Sequence, residues 1–143
     1  RAMTLKWPAG YMLRHILENE YDLKDALNMI QEAQLIAPCY ITICPAIGPS
    51  YLIIRNRHKT FQKRKSSKLL VQTNIDPDKL KPNILYSIER NEYARNTIRK
   101  KVNKWTNFED IKKDLLKYPI KNNDTIYYCI IDPGTGEVMS GLC

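Results

Sequence analysis

The chain is poor in the residues that most often announce chemistry. It has five glycines in 143 residues, and none of them builds a glycine-rich phosphate loop. It has two histidines, His15 and His58, and neither has a serine or cysteine partner nearby in sequence. Its four cysteines, Cys39, Cys44, Cys129 and Cys143, form no C-x-x-C pair and stand in no histidine cluster, which argues against a zinc site. Cys39 and Cys44 fall in an apolar stretch and are expected to be buried thiols, while terminal Cys143 is free to pair with anything. No apolar run approaches the roughly 18 residues needed to span a bilayer. Arg1 to Trp7 contains no long apolar segment of a signal peptide, so the chain is expected to be cytosolic or a piece of a longer precursor. No pair of carboxylates suggests glycoside hydrolysis, and no cofactor is expected.

What is present is an ordinary globular composition, 43% hydrophobic and 27% charged, with 23 Lys+Arg against 15 Asp+Glu and a net charge of +8. The length fits one domain, or a domain fragment, over residues 1–143. The positive charge gathers in Arg55–Lys68 and Arg90–Lys104. Such a surface can bind nucleic acid or anionic lipid. Few aromatics interleave with it, so a base-stacking platform is not indicated, and a solvated face is the simpler reading.

The periodicity predicts an α+β fold. A helix is expected over Trp7–Leu17, with Pro8 in its first turn. A second runs from Leu23 to Ala33, capped by Asp22. Ile36–Ile43 and Ser50–Arg55 read as a hairpin around Gly48-Pro49, followed by a weaker strand at Thr60–Lys63 and a fourth at Lys68–Thr73. A Pro- and Asp-rich loop, Asp76–Pro82, leads to a basic helix over Asn83–Val102. Thr106-Asn-Phe-Glu109 reads as a capping box opening a helix with Phe108, Ile111, Leu115 and Leu116 inward and Lys112 and Lys113 outward. Thr125–Ile131 is apolar on both faces and is expected to be a central strand. Asp132–Gly136 turns it into a last strand, Glu137–Ser140.

Three blocks carry a resemblance. Leu35-Ile-Ala-Pro-Cys-Tyr-Ile41, Leu52-Ile-Ile-Arg-Asn-Arg57 and Val71-Gln-Thr-Asn-Ile-Asp76 stand in that order. They resemble "LAPAYFILGG", "VITRNR" and "VETNYD" of the acid ceramidase and N-acylethanolamine-hydrolysing acid amidase family. Tyr11–Ala26 and Pro119–Asp132 resemble further family blocks, so the likeness runs from about residue 7 to 132.

The resemblance implies part of an N-terminal nucleophile hydrolase, an α-β-β-α sandwich of antiparallel sheets with packed helices. In that family a precursor is cleaved to free a cysteine, whose thiolate attacks an amide carbonyl while its own α-amine acts as base. By resemblance Asn74 donates to the oxyanion, and Arg90, the nearest match to the family's "DDRR" block, orients the site. Asn123 opens an N-glycosylation sequon, Asn123-Asp-Thr125, in keeping with the lysosomal or secretory location that the resemblance implies.

The departures are specific. No cysteine stands where the family's nucleophile would. Cys44-Pro45-Ala46 replaces a glycine pair, and the aromatics of "NYDRW" become Ile75 and Pro77-Asp78. The chain therefore resembles only the C-terminal part of the β-subunit. The expected partners are a lipid amide substrate, the N-terminal part or α-subunit of the same precursor, and an anionic lipid surface met by the basic residues. Two other functions are kept: a catalytically inactive homologue acting as a binding or structural component, and a basic nucleic-acid-binding module, which would require steeply salt-dependent binding.

Overall fold

The computed structural model describes residues 6–19, 22–75 and 86–143. The chain divides into two compact units, Arg1–Leu70 and Val71–Cys143. Both mix helices with antiparallel strands, an α+β arrangement.

The first unit opens with α1, Ala9–Glu18, and α2, Leu23–Glu32. Pro8 stands at the N-cap of α1, where its missing N–H costs nothing. Asp22 caps α2 by accepting from the Asp25 N–H at 2.8 Å. Three strands follow: β1, Cys39–Ile43; β2, Ser50–Arg55; and β3, Thr60–Ser66. They form one antiparallel sheet in the order β1-β2-β3. β1 is shorter than the apolar run that predicts it. Trp7 bridges to Leu35, and Ile36 donates its N–H to the Trp7 carbonyl at 3.1 Å, so this backbone is bonded elsewhere before Pro38. Met12 and Ile16 of α1 and Ala26, Leu27 and Ile30 of α2 bury their apolar stripes against Leu35, Ile41 and Ile53. Each of these leucine, isoleucine and methionine side chains contributes about 1.5–3 kcal/mol on full burial.

In the second unit, α3 spans Ser87–Lys101 and continues as a 3-10 turn, Val102–Lys104. The expected residues 83–85 of this helix, and the expected loop 76–82, lie outside the described residues. Arg99, Lys100 and Lys101 sit in the last turn of α3, where the helix dipole favours cations. α4 spans Phe108–Leu115. Its cap is one residue later than predicted: Asn107, not Thr106, accepts from the N–H three residues on, at Asp110. Asp110 reaches back to the N–H and hydroxyl of Thr106, both at 2.9 Å. The inward-facing residues Phe108, Ile111, Leu115 and Leu116 are half-buried. Lys112, expected to face outward, instead lies over the Tyr128 ring at 5.4 Å.

β4, Tyr127–Ile131, pairs with β5, Val138–Leu142, as a two-stranded antiparallel ribbon. Gly136, at φ +76°, lets the turn between them close. This corrects the reading of β4 as a central strand. Among the described residues β5 is its one partner, and Tyr127, Cys129 and Ile131 are exposed. A run apolar on both faces shows what could be buried, not what covers it. Among the described residues no helix is long and apolar enough to cross a membrane.

Candidate active site

The fourth strand expected at Lys68–Thr73 is not formed. Ser66 ends β3, its hydroxyl oxygen accepting from the N–H groups of Lys68 and Leu69 at 3.4 and 3.3 Å. Beyond that point the backbone oxygens go to side chains rather than to a ladder. The Val71 carbonyl accepts from Asn91 Nδ2 at 3.5 Å and Arg95 Nη2 at 3.4 Å. Gln72 Nε2 donates to the Thr73 and Ile75 carbonyls. The Ile75 N–H donates to the Thr73 carbonyl at 2.8 Å, a three-residue turn centred on Asn74. Asn74 therefore sits at the tip of a braced turn, with its side chain exposed.

The same brace reaches Arg90. Thr73 Oγ1 donates to the Ser87 carbonyl at 2.8 Å, and Arg90 Nη2 donates to Ser87 Oγ at 3.1 Å. Ser87 is completely buried. Asn91, one position after Arg90, bonds back to Thr73 Oγ1 at 3.5 Å and accepts from Arg95 Nε at 2.6 Å. The segment carrying Asn74 and the helix carrying Arg90 are thus tied together through side chains that sequence reasoning did not single out: Thr73, Ser87, Asn91 and Arg95. Their spacing along α3, at positions 87, 91 and 95, was the available signal, because it places them on one helical face.

Arg90 also lines a shallow depression of about 290 Å³ with Ile120, Asn122, Asp124, Thr125, Ile126 and Tyr127. Its buried Nε finds no hydrogen-bond partner among the described residues. The segment around Asn123 is held by its neighbours. Asn122 Oδ1 accepts from the Asp124 N–H at 2.9 Å, and the Thr125 hydroxyl donates to the Ile120 carbonyl at 3.2 Å. Asn123 is exposed, as a glycan acceptor must be. Asn74 is not among the residues lining this depression.

Tyr86 precedes α3 at φ +55°, a left-handed conformation rarely adopted by a bulky residue. It meets Tyr118 edge-on, with ring centroids 6.0 Å apart. Nothing in the sequence marks this position. The histidines have structural surroundings: His15 lies against the Trp7 ring at 5.3 Å, and His58 Nδ1 is 3.1 Å from Gln34 Oε1.

The cysteines are all free thiols. Cys44, expected to be buried, is exposed, and Ser50 Oγ donates to its sulfur at 3.3 Å. Cys39 is half-buried, and burial raises its thiol pKa, opposed in part by the charge on Arg55. Among the described residues no three His, Cys, Asp or Glu side chains gather as a metal site.

No family model matches the chain. A longer viral protein does. It is an uncharacterized protein of Acanthamoeba polyphaga mimivirus, 43% identical over 128 residues, which is 90% of this chain and 39% of that protein. The chain spans about two fifths of the length of this relative.

Proposed function

We propose that this chain is the C-terminal portion of a lipid amidase that hydrolyses the amide bond of a ceramide or an N-acylethanolamine. One observation carries the reading: the Asn74 turn and the Arg90 helix, two blocks separated in sequence, are bonded to one another through Thr73 and Ser87. A site that uses both residues needs that rigidity, because a misplaced donor loses its selectivity for the transition state.

In this mechanism a cysteine thiolate outside these residues attacks the amide carbonyl. The carbonyl π electrons move to oxygen, and the Asn74 amide donates to the resulting oxyanion. Such a donor supplies about 3 kcal/mol of transition-state stabilisation. The nitrogen leaves with a proton from the cysteine's α-ammonium, and water then hydrolyses the thioester. Arg90 acts as a positioning residue that holds the turn and the start of α3 in register. Neither residue needs a metal or cofactor for these roles.

The test is hydrolysis of a fluorogenic N-acyl amide by the longer protein and by the isolated 143 residues. The longer protein turns over, and the isolated chain does not. In the longer protein Asn74→Ala lowers kcat about 10²- to 10³-fold with little change in KM. Turnover by the isolated chain, or full activity in Asn74→Ala, overturns the proposal. A second reading, an inactive homologue serving as a binding component, is favoured by the position of Asn74 outside the depression that Arg90 lines. A longer protein that folds but hydrolyses no N-acyl amide would select it.

A further inference from the structure

A second concave site lies within the first unit, between α2 and the strands β2 and β3. Leu23, Lys24, Leu27 and Asn28 of α2 face Tyr51 of β2 and Lys63 of β3 across a groove of about 310 Å³. Its lining carries two ammonium groups, one amide and one phenol, over two leucines, and contains no carboxylate.

Lysines on an edge strand are a common defence against strand pairing. That role asks nothing of their direction. Lys63 instead lies over the Tyr51 ring, with Nζ 5.4 Å from the centroid, and both residues line the groove beside α2. Lys24 lines the same groove from the first turn of α2, where the helix dipole is positive. The acidic residues of that turn, Asp22 and Asp25, are not in the lining, and Asp22 is occupied in capping. Among the described residues neither Lys24 nor Lys63 is paired with a carboxylate. Two lysines lining one groove whose wall holds no carboxylate give it a positive potential that favours an anion. Register carries the charge further. Lys65 pairs with Tyr51 and Lys63 with Ile53, so both lysines share the face on which Tyr51 stands.

We propose that this groove binds a phosphate group, held between Lys24 and Lys63 with the Asn28 amide and the Tyr51 hydroxyl as further donors. A phosphate monoester or diester supplies a compact negative charge matched to two ammonium groups lining one groove. The two leucines add an apolar margin suited to the glycerol and upper acyl region of a phospholipid. The site belongs to Arg1–Leu70, whereas Asn74 and Arg90 belong to the other unit, so it stands or falls apart from the amidase reading.

The experiment uses the full 143-residue chain. Binding is measured to vesicles of phosphatidylcholine with and without phosphatidic acid, to inorganic phosphate, and to single-stranded RNA. The variants are Lys24→Gln, Lys63→Gln and, as a charge-matched control, Lys113→Gln. All three remove an exposed charge, and folding is checked by circular dichroism. The proposal expects each groove variant to weaken phosphatidic-acid vesicle binding about fivefold, with the control unchanged. The same variant dependence with inorganic phosphate but not with vesicles also supports the site and identifies a soluble ligand. Equal losses in all three variants mean diffuse surface charge and overturn it. Binding to RNA alone, or to none of the probes, overturns it as well.

Discussion

Arg55 is the residue whose surroundings are least ordinary. It is 2% exposed, yet among the described residues it has no carboxylate partner. Its guanidinium donates instead to the carbonyls of Ile30 and Ala33 at the end of α2. Those carbonyls are the ones a helix leaves without internal partners, and the helix dipole makes them the negative end. Burial pushes the Arg55 pKa down, and the group is still a cation at neutral pH because arginine starts so high. Arg55→Met removes the cation and leaves two carbonyls in an apolar setting. It is expected to lower unfolding free energy by about 2–4 kcal/mol in urea melts, with Arg55→Lys recovering part of the loss. The resemblance matched Arg55 as one letter of a block. That it fastens a helix end to a sheet could be seen only with both elements in place. Asn74 is the opposite case: its residue type and its block drew attention, and the structure supplies the turn that presents it.

At the scale of elements, α4 rests on polar contacts more than on burial. None of its residues is fully buried. Asp110 holds Thr106, and Asp114 accepts from Trp105 Nε1 at 2.8 Å and lies 3.7 Å from Lys101 Nζ. Bonds from Thr106 hold the Asp110 carboxyl below its usual pKa, and the Trp105 bond does the same for Asp114. A carboxylate whose folded pKa is depressed contributes stability that is fully present above its unfolded value, about 3.9, and lost as pH falls through the folded one. The α4 contacts are therefore intact at neutral pH and weaken below about pH 4. The Trp105 indole N–H resonance should move with a midpoint below that of a free aspartate, and Asp114→Asn should abolish the movement. A midpoint at or above the free value would remove Asp114 from this role.

On the scale of the whole molecule, the β4–β5 ribbon has one face half-buried and the other open. Tyr127, Cys129 and Ile131 stand across from Leu142, Ser140 and Val138, and Tyr127 and Leu142 are 68% and 85% exposed. An open apolar face of this kind binds a hydrophobic dye. Val138→Lys with Leu142→Lys is expected to cut fluorescence of bound anilinonaphthalene sulfonate at least about twofold while the helical circular dichroism is unchanged. An undiminished signal would place the dye elsewhere.

The sequence by itself determined what local rules govern. Pro8 and Asp22 started helices, apolar stripes at helical spacing gave α1 and α2 their buried faces, and Gly48-Pro49 and Asp132–Gly136 turned hairpins. These depend on backbone sterics and on partners only a few residues away. The tertiary structure decided the rest. Leu69–Val71 has the side chains of a strand, but Asn91 and Arg95, some 20 residues on, take the Val71 carbonyl that a ladder would have used. Ile126–Ile131 has the apolarity of a central strand, but a sheet position depends on which neighbours arrive. Where a backbone oxygen finds its donor, and what covers an apolar face, are settled between distant parts of the chain, and no window of sequence contains both.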